Sequence, residues 1–200
     1  MKIIFTHSQK GGVTKTAVAF MTGVELTLAG HETLLIDLDP QKSLTTLCEL
    51  RDDDKKLSVM TSTFAALPGL LKKAKEADLD YVIVDFPPHA GAQFEQVKSL
   101  ADLVIVPCKN GSTDILSISQ TIHIYDPSKT KLLISDVPSK EIADFRELLS
   151  TTYDVEVFET ALPSSDAIKN ALKDAESPSE RIMRWYASRI LNKLIEEITQ

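Results

Sequence analysis

The chain has 200 residues, 43% hydrophobic, 26% charged and 6% aromatic. That is the balance of one folded domain over 1–200, not of a disordered or fibrous segment. Acidic residues outnumber basic ones 29 to 22, and the net charge of −7 disfavours a bulk nucleic-acid coat, although a local basic face can still hold phosphate. Cys48 and Cys108 are too few for a disulfide framework or a metal site. The apolar runs are strand-length and the opening Met1–His7 is too short for a secretion signal, so a cytoplasmic protein without a membrane span is expected.

Short β-branched runs alternate with longer helical stretches. Strands are expected at Ile3–Thr6, Thr33–Ile36, Tyr81–Val84, Leu103–Val106, Lys131–Ile134 and Val155–Phe158. Several are apolar on both faces, as parallel strands covered on two sides would be. Helices are expected at Lys15–Ala29, which stops at Gly30, and at Leu70–Ala77, Gln93–Ala101, Asp114–Tyr125, Lys140–Thr151, Ser165–Ala175 and Ser179–Ile198. The alternation predicts an α/β fold, a doubly wound and mostly parallel sheet with helices on both faces. The run Arg51–Lys56 reads as a solvated loop.

Between the first strand and first helix stands Lys10-Gly11-Gly12-Val13-Thr14-Lys15-Thr16. Backbone N–H groups at a helix start face an anion, and Gly11 and Gly12 allow close approach. Lys15 can reach the β- and γ-phosphates and the Thr16 hydroxyl can ligate Mg²⁺. The second strand ends in Asp37-Leu38-Asp39-Pro40-Gln41, with Asp39 24 residues after Lys15. Two carboxylates at a parallel strand's C-terminal end sit where α/β folds bind ligands, although Asp-x-Asp-Pro alone also suits a turn. The run Tyr81-Val82-Ile83-Val84-Asp85 delivers a third carboxylate to the same end, placed to hold Mg²⁺ through water. His89, in the following turn, would either sense the γ-phosphate or face solvent.

These three motifs, in this order, resemble the ParA/MinD group of deviant Walker A P-loop NTPases. The resemblance implies ATP and Mg²⁺ as cofactors, with residues 11–16 (Gly11, Gly12, Val13, Thr14, Lys15, Thr16) binding the nucleotide. It implies Asp39 as the residue that polarises the attacking water and Asp37 near the Mg²⁺ shell with Thr16 and Asp85. Lys10 would reach the phosphates of a partner copy in an ATP-dependent homodimer; otherwise it is a solvated loop lysine. Thr14 departs from the family's usual Gly, which bears on the hydrolysis rate. The block Ala101–Pro107 also matches the family, whereas Ser135-Asp136 stand where an Asn-Arg-like pair is usual near the adenine, and Leu162–Ser165 would form the other base-side loop.

In the last helix Ile182, Tyr186, Ile190, Leu194 and Ile198 share one stripe, with Trp185 opposite among Arg181, Arg184 and Arg189. Lys169–Lys193 holds six basic and three acidic residues. By the resemblance these arginines are the candidate face for non-specific DNA; they could equally be solubilising. The acidic end Glu196-Glu197 argues against a membrane helix. The expected function is a switch ATPase acting in plasmid or chromosome partition, nucleoid-associated when ATP-bound. The chain opens on its first strand, so a separate ParB-type centromere-binding partner is expected. Alternatives are an ATPase positioning a protein cargo or division site, an ATP-dependent ligase or amide synthase on the same fold, and a non-hydrolysing nucleotide-binding scaffold.

Overall fold

The computed structural model describes residues 1–12, 14–51, 57–88, 92–173 and 187–199. Its elements are β1 (Lys2–Thr6), α1 (Lys15–Leu28), β2 (Thr33–Asp37), α2 (Ser43–Glu49), β3 (Ser58–Thr61), α3 (Leu67–Glu76), β4 (Tyr81–Asp85), β5 (Leu103–Cys108), α4 (Ser112–Ile122), β6 (Thr130–Val137), α5 (Ile142–Thr152), β7 (Glu156–Val157), β8 (Leu162–Pro163), α6 (Asp166–Lys173) and α7 (Ala187–Thr199). The strands form one sheet in the order β3-β2-β4-β1-β5-β6-β7, with β8 also on β6, and every pairing is parallel.

The strands are apolar on both faces because both faces are covered. Phe5, Val82, Val84, Val104 and Val106 point into one layer with Leu71 of α3, Ile118 of α4 and Leu149 of α5. Their neighbours Ile4, Ile83 and Ile105 point into the other layer, against Val18 and Val24 of α1, Leu44 of α2, and Leu191, Leu194 and Ile198 of α7. Helix α1 lies so close to β2 that a Cβ at Gly23 would come within 2.8 Å of the Leu35 side chain. Gly30, with φ +91°, turns the chain out of that helix as expected.

The structure corrects four local expectations. Gln93–Ala101 is not an α-helix but two 3₁₀ turns, Ala92–Gln96 and Lys98–Leu100. The bonds Val97 N–H to the Phe94 carbonyl and Leu100 N–H to the Val97 carbonyl close them, and the three-residue spacing stacks Phe94 and Val97 toward the core. The expected strand Val155–Phe158 is only Glu156–Val157. Arg51 is buried, not solvated, with its guanidinium over the Phe20 ring; the rest of that run, 52–56, lies outside the described residues. Two short elements, α2 and edge strand β3, and the pair Leu162–Pro163 were not expected as regular structure.

Candidate functional site

β1 sits between β4 and β5, and the chain runs outward from it in both directions, so a crevice opens at the C-terminal ends of the strands. Asp37 and Asp85 are register partners at the ends of β2 and β4, and Thr6 of β1 pairs Asp85 from the other side. The glycine loop before α1, the Asp39 loop and the turn after β4 therefore converge. A cleft of about 630 Å³ lies between them, lined by Gly11, Gly12, Lys15, Thr16, Asp39 and Gln41 among others. That is within the range of small-ligand pockets, roughly 300–1,000 Å³. A second cleft of about 790 Å³ adjoins it across Asp39, Gln41 and Pro88.

Asp85 is buried at the bottom of the crevice. Its carboxylate accepts hydrogen bonds from Thr16 Oγ1 at 2.7 Å and Thr6 Oγ1 at 3.2 Å. Burial pushes its pKa up to about 7; the Thr16 bond opposes this and the Asp37 charge adds to it. A carboxylate so destabilised in its charged form, beside a threonine hydroxyl, is a hard-oxygen donor set suited to Mg²⁺. Among the described residues no group of three or more His, Cys, Asp or Glu could hold a metal by itself. Magnesium needs no such cage when substrate phosphates supply ligands.

Lys15 is also buried, and its Nζ donates to the Lys10 carbonyl at 3.0 Å. Burial lowers its pKa, while Asp85 and then Asp39 pull the other way. An ammonium held in this state gains from an anion brought to it. Gly12 has φ +73°, a conformation that glycine adopts without penalty. Thr14, just before Lys15, has φ +58° as well, and a β-branched residue there carries strain of about 1–2 kcal/mol. Its hydroxyl shares a 2.7 Å hydrogen bond with Ser135 Oγ, which pins the loop to the end of β6. The departure from glycine is thus accommodated by a side-chain bond that glycine could not make.

The two residues of the Asp-x-Asp-Pro-Gln segment have different settings. Asp37 is buried and accepts from Asp39 N–H at 3.0 Å, Thr45 N–H at 2.9 Å and Thr45 Oγ1 at 3.1 Å. It braces the start of α2 as well as facing Asp85. Asp39 is only half-buried; one oxygen accepts from Gln41 N–H at 2.9 Å, and the residue lines both clefts. Lys10 is folded back within its own chain: its Nζ donates to Asp114 Oδ1 at 2.7 Å and Thr113 Oγ1 at 2.8 Å. Gly111 makes room for this, since a Cβ there would lie 2.4 Å from Asp114 Oδ2.

Sequence reasoning missed His7, directly beneath the loop. It is buried, its Nδ1 hydrogen-bonds the Tyr125 hydroxyl at 2.9 Å, and it stacks on Phe94 at 4.9 Å. Burial, then the Lys15 charge, lowers its pKa to about 3, so it is neutral near pH 7. Val13, His89, Trp185, Arg181 and Arg184 lie outside the described residues, and Arg189 is placed in α7 by its backbone alone. Of the expected apolar stripe, Ile190, Leu194 and Ile198 pack inward on the α1 side of the sheet with Leu191 beside them, and Ile182 and Tyr186 lie outside the described residues. Glu197 closes that dock by accepting from the Glu159 and Thr160 backbone N–H groups, each at 2.8 Å. Among the described residues no helix is long and apolar enough to cross a membrane.

Comparison with known proteins agrees with this geometry. Residues 1–71 match the family model described as an AAA domain. Protein ParA of Rhizobium radiobacter is 27% identical over 126 residues, 62% of this chain and 56% of that protein, so the match spans little more than half the relative's length. The MinD cell division protein of Aquifex aeolicus superposes with a TM-score of 0.82 at 18% identity, covering 100% of this chain and 97% of that one. A plasmid partition protein of Borrelia burgdorferi, solved with AMPPNP, superposes with a TM-score of 0.71 at 16% identity over 98% and 99% of the two chains. In its motifs and its doubly wound architecture the chain is thus similar to ParA-type P-loop ATPases, and its fold is that of a P-loop NTPase.

Proposed function

We propose that this protein is a switch ATPase that binds ATP with Mg²⁺, dimerises around the nucleotide and hydrolyses it slowly until a partner protein intervenes. The observation that carries this is the convergence of Lys15, Thr16, Asp85 and Asp39 on one crevice, with a buried ammonium and a buried carboxylate that make no ion pair with each other or with another described residue. Lys15 would neutralise the β- and γ-phosphates, and the loop N–H groups at the start of α1 would cradle them. Thr16 and Asp85 would hold Mg²⁺, which supplies charge neutralisation on the phosphates. Asp37 would position this shell while it keeps α2 in place. Asp39, with an oxygen free of backbone bonds, would orient the attacking water.

Lys10 gives the switch its second state. In the single chain it is held by Asp114. In a dimer it would leave that carboxylate for the partner's phosphates, acting as an arginine finger does. DNA binding through Arg181, Arg184 and Arg189, a separate ParB-type partner and a role in partition complete the reading; a relative named as a chromosome partitioning protein, 25% identical over 170 residues, supports the partition role. Positioning of a protein cargo or division site uses the same switch and is favoured by the MinD-like fold. ATP turnover with Mg²⁺, followed together with size-exclusion chromatography, tests the proposal. ATP-dependent dimer and slow turnover are expected; a monomer with ATP bound and no phosphate released would contradict it.

A further inference from the structure

Residues 7–10, which lead from β1 into the glycine loop, are each bonded to α4 or to the turn that ends it. Lys10 Nζ donates to Asp114 Oδ1 at 2.7 Å, and Ser8 Oγ shares a 3.4 Å hydrogen bond with Ser117 Oγ. Gln9 N–H donates to Thr121 Oγ1 at 3.1 Å, and His7 Nδ1 meets the Tyr125 hydroxyl at 2.9 Å. Asp114, Ser117, Thr121 and Tyr125 are spaced by three and four residues, so they fall on one stripe of the helix and its continuation. Bonds from Ile124 N–H to the Thr121 carbonyl and from Tyr125 N–H to the Ile122 carbonyl carry that stripe past the end of α4.

The stripe is buried along its length, and so are His7 and Ser8 opposite it. A helix that only covered the sheet would put apolar residues there, as Ile118 and Ile122 do one position further on. Buried carboxylate and hydroxyl groups are costly unless they are bonded, and here the partner of each is in the segment that enters the loop. Thr121 Oγ1 serves both sides, since it also donates to the Ser117 carbonyl at 2.7 Å. The polar stripe thus ties α4 to the loop entry as well as to the sheet. Lys15 extends the connection to the phosphate end, because its Nζ donates to the Lys10 carbonyl at 3.0 Å. A triphosphate that draws this ammonium to itself takes a donor from Lys10, whose side chain holds the first turn of α4 through Asp114 and Thr113.

We propose that α4 and the glycine loop form one cooperative unit, joined through His7, Ser8, Gln9 and Lys10, so that α4 reads the occupancy of the nucleotide site. The inference rests on the nucleotide-binding reading above and adds to it the element that transmits the switch. Coupling between sites is reciprocal, so a partner that holds α4 would change nucleotide affinity at the loop by the same factor.

Hydrogen–deuterium exchange of the full chain tests this, with and without AMPPNP and Mg²⁺, at a nucleotide concentration about a hundred times the Kd that titration gives for each protein. A ligand slows exchange in every unit whose opening destroys its site, by at most the ratio of its concentration to Kd. In the wild type, exchange at residues 117–122 is expected to slow about tenfold or more, together with the start of α1. Helix α3 packs in the same layer as α4 but has no hydrogen bond to residues 7–10 among the described residues, and it is expected to change less than about twofold. The double variant Thr121→Val, Tyr125→Phe removes two hydroxyls and keeps their shape. It is expected to keep the response of α1 and to lose that of α4.

Loss of one response with retention of the other is a readout that simple destabilisation of the helix cannot produce. If the double variant does not fold, Tyr125→Phe alone takes its place and is expected to reduce the α4 response about threefold, the scale of one hydrogen bond. A wild-type α4 that stays unchanged while α1 responds would overturn the inference and leave the nucleotide site standing. A full α4 response in the variant would also overturn it, and would assign the protection to burial against a second copy. No AMPPNP binding in the titration would overturn this inference and the proposed function together.

Discussion

The two ends of the crevice are built from different material. At the phosphate end, three contiguous motifs each sit at the end of a strand, and backbone geometry presents Lys15, Thr16, Asp37, Asp39 and Asp85. On the β6 side of the loop, Thr14, Lys109, Ser135, Asp136, Ser164 and Lys169 come from five separate segments and meet through side-chain bonds. Phosphate is the same in every nucleotide, so charge and N–H groups at fixed spacing suffice for it. The strand-end side is therefore a set of sequence motifs, and the β6 side is a constellation of distant side chains.

This contrast can be broken in graded steps. Replacing Asp39 with alanine should leave nucleotide affinity within a few-fold and slow turnover about a hundredfold or more, because in the proposed mechanism only the transition state would use that carboxylate. Rapid phosphate-release assays beside a binding titration separate the two effects, and unchanged turnover would remove Asp39 from the chemistry. Lys10→Ala should act on assembly. The Lys10–Asp114 pair is one-third exposed on the lysine side, so its loss costs the monomer no more than about 1 kcal/mol. The nucleotide-dependent dimer, in contrast, should disappear from sedimentation profiles at concentrations where the wild type is fully dimeric.

His7 gives a smaller effect with a defined sign. Its pKa is lowered from 6.5 to about 3 in the folded chain, so the unfolded chain binds the extra proton between those values. Its contribution to stability is therefore complete above about pH 6.5 and is lost as pH falls toward about 3, with a limiting slope of about 1.4 kcal/mol per pH unit. Denaturant melts of the wild type and His7→Gln at pH 6.5 and 4.5 should show the wild type losing more stability; parallel losses would mean that the histidine is not held neutral. The smallest expected effect is on DNA. Alanine at Arg181, Arg184 and Arg189 should flatten the salt dependence of duplex binding by about one slope unit per lost phosphate contact, without changing turnover in the absence of DNA.

What could be read from the sequence follows the same division. Strands β1, β2, β4 and β5 were legible because burial on both faces leaves an uninterrupted apolar run, and the residues that end them followed from motif spacing. α2 and β3 were not, because a seven-residue helix with two buried positions and a half-exposed edge strand leave almost no period. The Phe94–Val97 segment has helical composition yet buries residues at a spacing of three, which composition does not reveal. Lys10–Asp114 and Thr14–Ser135 span 104 and 121 residues of sequence, so neither partner announces the other. His7 lay next to the most informative motif and carried no signal of its own. Its role is packing and a Tyr125 bond across 118 residues.

Calorimetric titration of the wild type and of Lys15→Ala with ATP and with GTP, each with Mg²⁺, reads the triphosphate contact alone, because both nucleotides share it. Lys15 is the buried cation of the phosphate end, and removal of one partner of a buried charge pair typically costs about 3–5 kcal/mol, a hundredfold or more in affinity. One nucleotide per chain is expected for the wild type, and a loss of that size for Lys15→Ala with both bases. Equal affinity of the two proteins for either nucleotide would mean that the triphosphate does not bind in the Gly11–Thr16 loop, and would contradict the site as described.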